Sequence, residues 1–247
     1  MIIMKGSPLL LATLLALFSV IGINEFYRMA LPQRTLERTC AAITGTTLLF
    51  VPFIGTDRLA LATVGLLFIG FSLLFLFRLR TIETAAQEAA YALLAFIYVP
   101  FLLMHLVLLR QTQFGVQWLF VIMLIVMTND SAAYYTGSAF GKRRLYPLVS
   151  PKKSVEGALG GLCGSLVGTL LAKYTFFPQL TFADVVLTAL VIGMVGQAGD
   201  LFESLLKRSF GVKDSGSIIP GHGGVLDRLD SILFAAPITY YYVIYIF

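Results

Sequence analysis

In the segment GDLFESLLKR, four polar side chains recur at helical spacing. Asp200, Glu203, Ser204 and Lys207 stand at i, i+3, i+4 and i+7, which is one face of a helix. Further on, IIPGHGGVLDRLDSI (218–232) gathers three glycines with His222, Asp227, Arg228 and Asp230. Upstream, Asn129 and Asp130 interrupt the apolar run IVMTNDSAAYYTG. Sparse carboxylates beside water suit Mg²⁺, which takes one or two carboxylates, keeps waters and binds substrate phosphates. Zinc is disfavoured, because His222 has no partner histidine or cysteine. Glycines around His222 let backbone N–H groups approach an anion closely. Plainer readings exist for each acid: an Asp200–Ser204 hydrogen bond, and N-cap or first-turn service for Asp227 and Asp230. Taken one by one these account for each acid, but not for why acids, glycines and cations converge.

The elements that must position these groups are membrane helices. Hydrophobic residues make up 58% of the 247 and charged residues 13%, with mean hydropathy +0.87; a soluble domain carries about a quarter charged residues. The fold class expected is an all-α polytopic membrane protein of about eight transmembrane helices with a polar site at the cytoplasmic side. A porin-like barrel would need period-two alternation instead. Candidate spans are 7–26, 40–55, 59–77, 89–109, 117–139, 155–172, 183–206 and 229–246. The first is read as a membrane helix and not a signal peptide, having one preceding cation (Lys5) and no cleavage site. The chain divides into an N-terminal region, 1–116, of about four helices, and a catalytic region, 117–247, with loops 140–156 and 207–230.

Alternating the sides of eight spans leaves Lys5, Arg58, Arg110 and Lys173 on one side and the other fourteen of the 18 Lys and Arg opposite. The richer side is cytoplasmic by the positive-inside rule, so both termini face away from the cytoplasm. That rule also covers most of these cations; loops 140–156 and 207–230 hold more than orientation requires. Asn129 and Asp130 lie roughly 13 Å from the cytoplasmic end of their span, and Asp200 roughly 10 Å. Ionisable groups placed there mark a polar cavity.

Other features are quieter. GSAFGKR (137–143) lacks the spacing and hydroxyl of a nucleotide P-loop. Small residues at 157, 161, 164 and 168 form a helix-packing face, and a candidate homodimer seam. Cys40 and Cys163 are isolated, and His105 has no second histidine nearby.

With these residues assembled, SLLKRSFGVKDSGSIIPGHGGVLDRLDS (204–231) resembles the signature of the phosphatidate cytidylyltransferases. Ser204, Lys207, Arg208, Lys213, Asp214, His222, Gly223, Gly224, Asp227, Arg228 and Asp230 occupy its fixed positions. NDSAAYYTGSAFGK and SPKKSVEGALGG are similar to two further family motifs, with Ser154 in place of the usual threonine. The likeness is dense over 129–231 and loose before it. Family members commonly begin with an extra basic-headed helix, whereas here the chain starts at the helix ending INEFYR.

The resemblance implies that CTP and phosphatidic acid give CDP-diacylglycerol and pyrophosphate at a bacterial inner membrane. It implies one or two Mg²⁺ ions, with an additional monovalent cation as an option, and no nucleic-acid partner. Asp200 and Asp227 are the first-choice metal ligands it implies, with Asp130 and Asp230 second. Chemistry assigns Lys142, Lys152 and Lys153 to the triphosphate, and Lys207, Arg208, Lys213 and Arg228 to lipid phosphate or pyrophosphate. Asn129, Ser154 and Glu156 would orient the nucleotide, and His222 would donate to a phosphate oxygen. Ser204, Asp214, Gly223 and Gly224 would complete the substrate site. A CDP-archaeol synthase, a CTP-dependent polyprenol kinase and a transporter are the alternatives; a transporter predicts midplane sites on paired repeats, and no repeat is present.

Overall fold

Proline and capping residues set many of the helix boundaries in this computed structural model, which describes residues 6–54, 57–78, 81–218, 221 and 223–247. Helix α1 (Pro8–Ala30) starts where Ser7 accepts a hydrogen bond from Leu10 N and Pro8 fills the first turn, a position where its missing N–H costs nothing. It is followed by α2 (Thr35–Leu48), the single turn α3 (Val51–Ile54) and α4 (Asp57–Phe77). Helix α5 (Ile82–Phe96) passes through a π-helical turn, Ile97–Phe101, into α6 (Leu102–Arg110). Pro100 lies in that turn: it offers no N–H to the ladder, and the extra residue of a π turn absorbs the break. The run Ile82–Arg110 therefore continues as one 29-residue span.

The second half comprises α7 (Gly115–Phe140), strands β1 (Arg144–Tyr146) and β2 (Ser150–Ser154), α8 (Val155–Thr175), α9 (Phe182–Ser209) and α10 (Leu226–Tyr245). Ser154 caps α8 by accepting from Gly157 N at 3.1 Å. Thr181 and Asp184 form a reciprocal capping box at the start of α9.

The chain is an all-α membrane protein, with one small antiparallel hairpin among the described residues. Among the described residues five helical runs are long and apolar enough to cross a bilayer: Pro8–Ala30, Ile82–Arg110, Gly115–Phe140, Val155–Thr175 and Phe182–Ser209. The other expected spans fall on α2 with α3, on α4 and on α10. Span 40–55 is interrupted after Leu48, just ahead of Pro52.

The molecule divides into two units, Met1–Leu108 with Asp214–Asp227, and Leu109–Lys213 with Arg228–Phe247. In the first, Gly22 and Gly45 let α1 and α2 close on the π turn: a Cβ on either would lie 3.0 Å from Val99 Cγ1 or Pro100 Cγ respectively. Arg34, between α1 and α2, is buried with Glu37 and reaches Glu37 at 3.0 Å, the Arg78 carbonyl at 2.9 Å, and Glu88.

In the second unit, α8 runs antiparallel to α7 and packs along it. A Cβ at Gly157 would lie 2.9 Å from the Ala133 carbonyl, and one at Gly161 2.7 Å from Asn129 Oδ1. The small-residue face 157–161–164–168 is thus the packing face expected, and α7 of the same chain covers it. Away from the hairpin, Trp118 meets Phe177, Tyr242 and Phe247 edge-on, with centroids 5.1 to 5.7 Å apart, the geometry aromatic quadrupoles favour.

Candidate active site

The C-terminal halves of α7 and α9 and the first turn of α8 meet the hairpin around a cavity of about 560 Å³ within the second unit. Ligand cavities span roughly 300–1,000 Å³. Asn129, Asp130 and Tyr134 enter it from α7, Arg144, Lys152, Lys153 and Ser154 from the hairpin, and Gln197 and Asp200 from α9. Capping holds the hairpin in place. Glu156, in the first turn of α8, accepts from the backbone N–H groups of Lys142 at 3.0 Å and Arg143 at 3.2 Å.

Lys153 Nζ lies 2.5 Å from Asp200 Oδ2, with each side chain 30% exposed, so the pair is open to a ligand. Asp130, Asp200 and Asp230 stand within electrostatic reach of one another. Deeper in, Asn129 is buried; its amide donates to Ser165 Oγ at 2.8 Å and its Oδ1 accepts from Gln197 Nε2 at 3.0 Å. Gln197 Nε2 donates also to the Ala158 carbonyl at 2.9 Å. That network fixes both amide orientations.

These groups fit a hard cation. Asp130 and Asp200 line the cavity and Asp230 lies within their field, all oxygen donors. Among the described residues no three His, Cys, Asp or Glu side chains gather into a cage. An ion that relies on waters and substrate phosphates needs no such cage.

In the first unit the signature loop has its own order. Asp227 Oδ2 accepts from Gly224 N at 2.8 Å and from Ser215 N and Oγ at 2.9 Å. Asp227 stands in the first turn of α10, and these bonds tie that turn to the loop before it. Gly223 adopts φ +84°, a conformation glycine enters without strain.

Of the residues marked in the sequence, Asn129, Asp130, Lys152, Lys153, Ser154 and Asp200 come together around the cavity. Lys142 and Glu156 form the neck of the hairpin. Further along α9, Lys207 pairs with Glu203 at 3.2 Å and Arg208 donates to the Val212 carbonyl at 3.2 Å; Ser204 and these two do not line the cavity. Lys213 and Arg228 are exposed residues of the second unit, whereas Asp214, Gly223, Gly224 and Asp227 belong to the first. His222, Lys5 and Arg80 lie outside the described residues, as does the side chain of Arg58. Gln197, Arg144, Tyr134 and Ser165 were missed. So was Glu25, a buried acid in an apolar helix, which the rule that flagged Asp130 could have found.

The profile of the cytidylyltransferase family matches residues 1–246. The chain belongs to the cytidylyltransferase family. A phosphatidate cytidylyltransferase from Bacillus subtilis (strain 168) is 39% identical over 156 residues, covering 63% of this chain and 58% of its own. Phosphatidate cytidylyltransferases of Staphylococcus saprophyticus and of Staphylococcus aureus (strain COL) are each 40% identical over 152 residues, covering 62% of this chain and 58% of their own. The matched region spans 58% of the length of these cytidylyltransferases.

Proposed function

We propose that the chain transfers the cytidylyl group of CTP to phosphatidic acid, giving CDP-diacylglycerol and pyrophosphate. The observation that carries this reading is the second unit's cavity, where Lys152, Lys153 and Arg144 face Asp130 and Asp200. Cations for a polyphosphate and carboxylates for its metal share one chamber. Family membership supplies the reaction class.

An oxygen of the lipid phosphate attacks the α-phosphorus of CTP, a new P–O bond forms, the bond to the β-phosphate bridging oxygen breaks, and pyrophosphate leaves. The attacking phosphate is largely dianionic at neutral pH, its second pKa being about 6, so no side-chain nucleophile is needed. Two polyanions must then be brought together, and the cations of the hairpin offset their repulsion while holding them in line. Asp200 and Asp130, with Asp230 beside them, would hold one or two Mg²⁺ ions. When bound, Mg²⁺ neutralises charge on the phosphate oxygens. Lys142 at the neck would add to the triphosphate field, and Asn129, held by Gln197 and Ser165, would orient the nucleotide from below.

The finer topology is part of the same proposal: eight spans in a bacterial inner membrane, with the hairpin and signature loop on the cytoplasmic side. There CTP is available and a lipid phosphate sits at headgroup depth. The test offers detergent-purified protein CTP with phosphatidic acid, with an isoprenoid phosphate, or with an isoprenoid alcohol. CDP-diacylglycerol and pyrophosphate in equal amounts support the reading. Product only from isoprenoid substrates overturns it in favour of a related CTP-using lipid enzyme.

A further inference from the structure

Glu25 is a carboxylate in the apolar helix α1, and it is 3% exposed. Burying such a group is costly unless its lone pairs are filled. Here the signature loop fills them. Oε1 accepts from Val225 N at 3.0 Å; Oε2 accepts from Leu226 N at 2.9 Å and meets Ser215 Oγ at 3.2 Å. Val225 and Leu226 lead into α10, where the first N–H groups have no carbonyl of their own helix to bond. Glu25 therefore caps α10 from a helix 200 residues away, and its charge faces the positive end of the helix dipole.

The loop is shaped around this carboxylate. A Cβ on Gly216 would lie 2.5 Å from Glu25 Oε1, and one on Gly224 2.6 Å from its carboxyl carbon. Neither glycine has positive φ, so they are small to seat Glu25, not to supply an unusual backbone. Ser215 ties the arrangement to Asp227: its single hydroxyl proton is shared between Asp227 Oδ2 at 2.9 Å and Glu25 Oε2 at 3.2 Å. Glu25 and Asp227 thus grip Ser215 and Gly224–Leu226 from two sides, all within the first unit.

We propose that Glu25 is a positioning residue for the transfer reaction, which fixes Ser215 and Gly224–Asp227 in their working geometry without touching substrate. This rests on the cytidylyltransferase reading. In Glu25→Gln the side chain keeps its size, but one carboxylate oxygen becomes an NH₂ that opposes the donors of the loop. Glu25→Asp keeps the charge and withdraws it by one methylene.

The test uses the full chain in detergent, with amide hydrogen exchange beside steady-state kinetics. In Glu25→Gln, exchange in peptides covering 215–227 should rise about tenfold or more while other peptides match wild type. Loss of such an orienting partner should lower kcat about 10- to 100-fold with KM for CTP within about twofold. Glu25→Asp should recover part of kcat. Unchanged exchange at 215–227, retained kcat, or a rise in exchange across the whole chain would each overturn the proposal. If wild-type protein forms no CDP-lipid, the substrate reading fails, and the exchange measurement alone then decides whether Glu25 holds the loop.

Discussion

Lys153 Nζ and Asp200 Oδ2 lie 2.5 Å apart, linking strand β2 of the hairpin to helix α9 within the second unit. An ion pair this open adds little to stability. Both residues line the cavity, and the first prediction follows from the proposed binding of CTP there. Lys153→Met should leave the melting temperature within a few degrees of wild type and raise KM for CTP about 10- to 100-fold, the equivalent of one lost charge-assisted hydrogen bond. Initial rates across a CTP series measure it.

The hairpin depends on Glu156, whose carboxylate accepts from the N–H groups of Lys142 and Arg143. Glu156→Ala frees both donors and loosens the neck. Trypsin should then cut after Lys142, Arg143 or Arg144 several times faster than in wild type, with activity falling in parallel. Timed proteolysis followed by mass spectrometry reads the sites directly.

Much of this site could be read from residue order alone. Asp130 and Asp200 stood out because a charge in an apolar helix is expensive, and counting residues placed them toward one side. Gln197 escaped notice because a neutral amide adds nothing to a charge count; its role appears only when α9 brings it to Asn129. The hairpin was read as a basic loop, since RLYPLVSPKKS is short and carries two prolines. Glu25 was within reach of the rule that picked out Asp130, since it lies in the apolar span 7–26. What sequence could not show is its partners, because Val225 and Leu226 are about 200 residues downstream and donate through backbone N–H groups, which leave no trace in side-chain pattern. The glycine stripe on α8 was correctly read as packing, though pattern could not say that α7 would cover it.

The first unit holds a buried charge cluster. Arg34 bonds Glu37, the Arg78 carbonyl and Glu88. Among the described residues, Arg34→Met leaves the fully buried Glu37 with Arg78, 3.3 Å away, as its one paired cation. Breaking a buried pair from one side costs about 3–5 kcal/mol, so the thermal transition in detergent should fall by several degrees. An unchanged transition would mean that water reaches Glu37.

Metal dependence follows from the carboxylates. Treatment with a chelator should abolish transfer, and added Mg²⁺ should restore it. Asp200→Asn should weaken that restoration, shifting the Mg²⁺ concentration for half-maximal activity upward by about tenfold or more, as loss of one of few carboxylate ligands would. A magnesium titration of both proteins measures the shift.

The central claim is that the second unit's cavity performs cytidylyl transfer onto a lipid phosphate. Its most direct test is CDP-diacylglycerol formation from CTP and phosphatidic acid by the purified full chain, with wild type, Asp200→Asn and Lys153→Met in parallel. Product from wild type that is lost in Asp200→Asn and needs higher CTP in Lys153→Met is the predicted result. Equal product from all three folded proteins would contradict the assignment of this cavity as the active site.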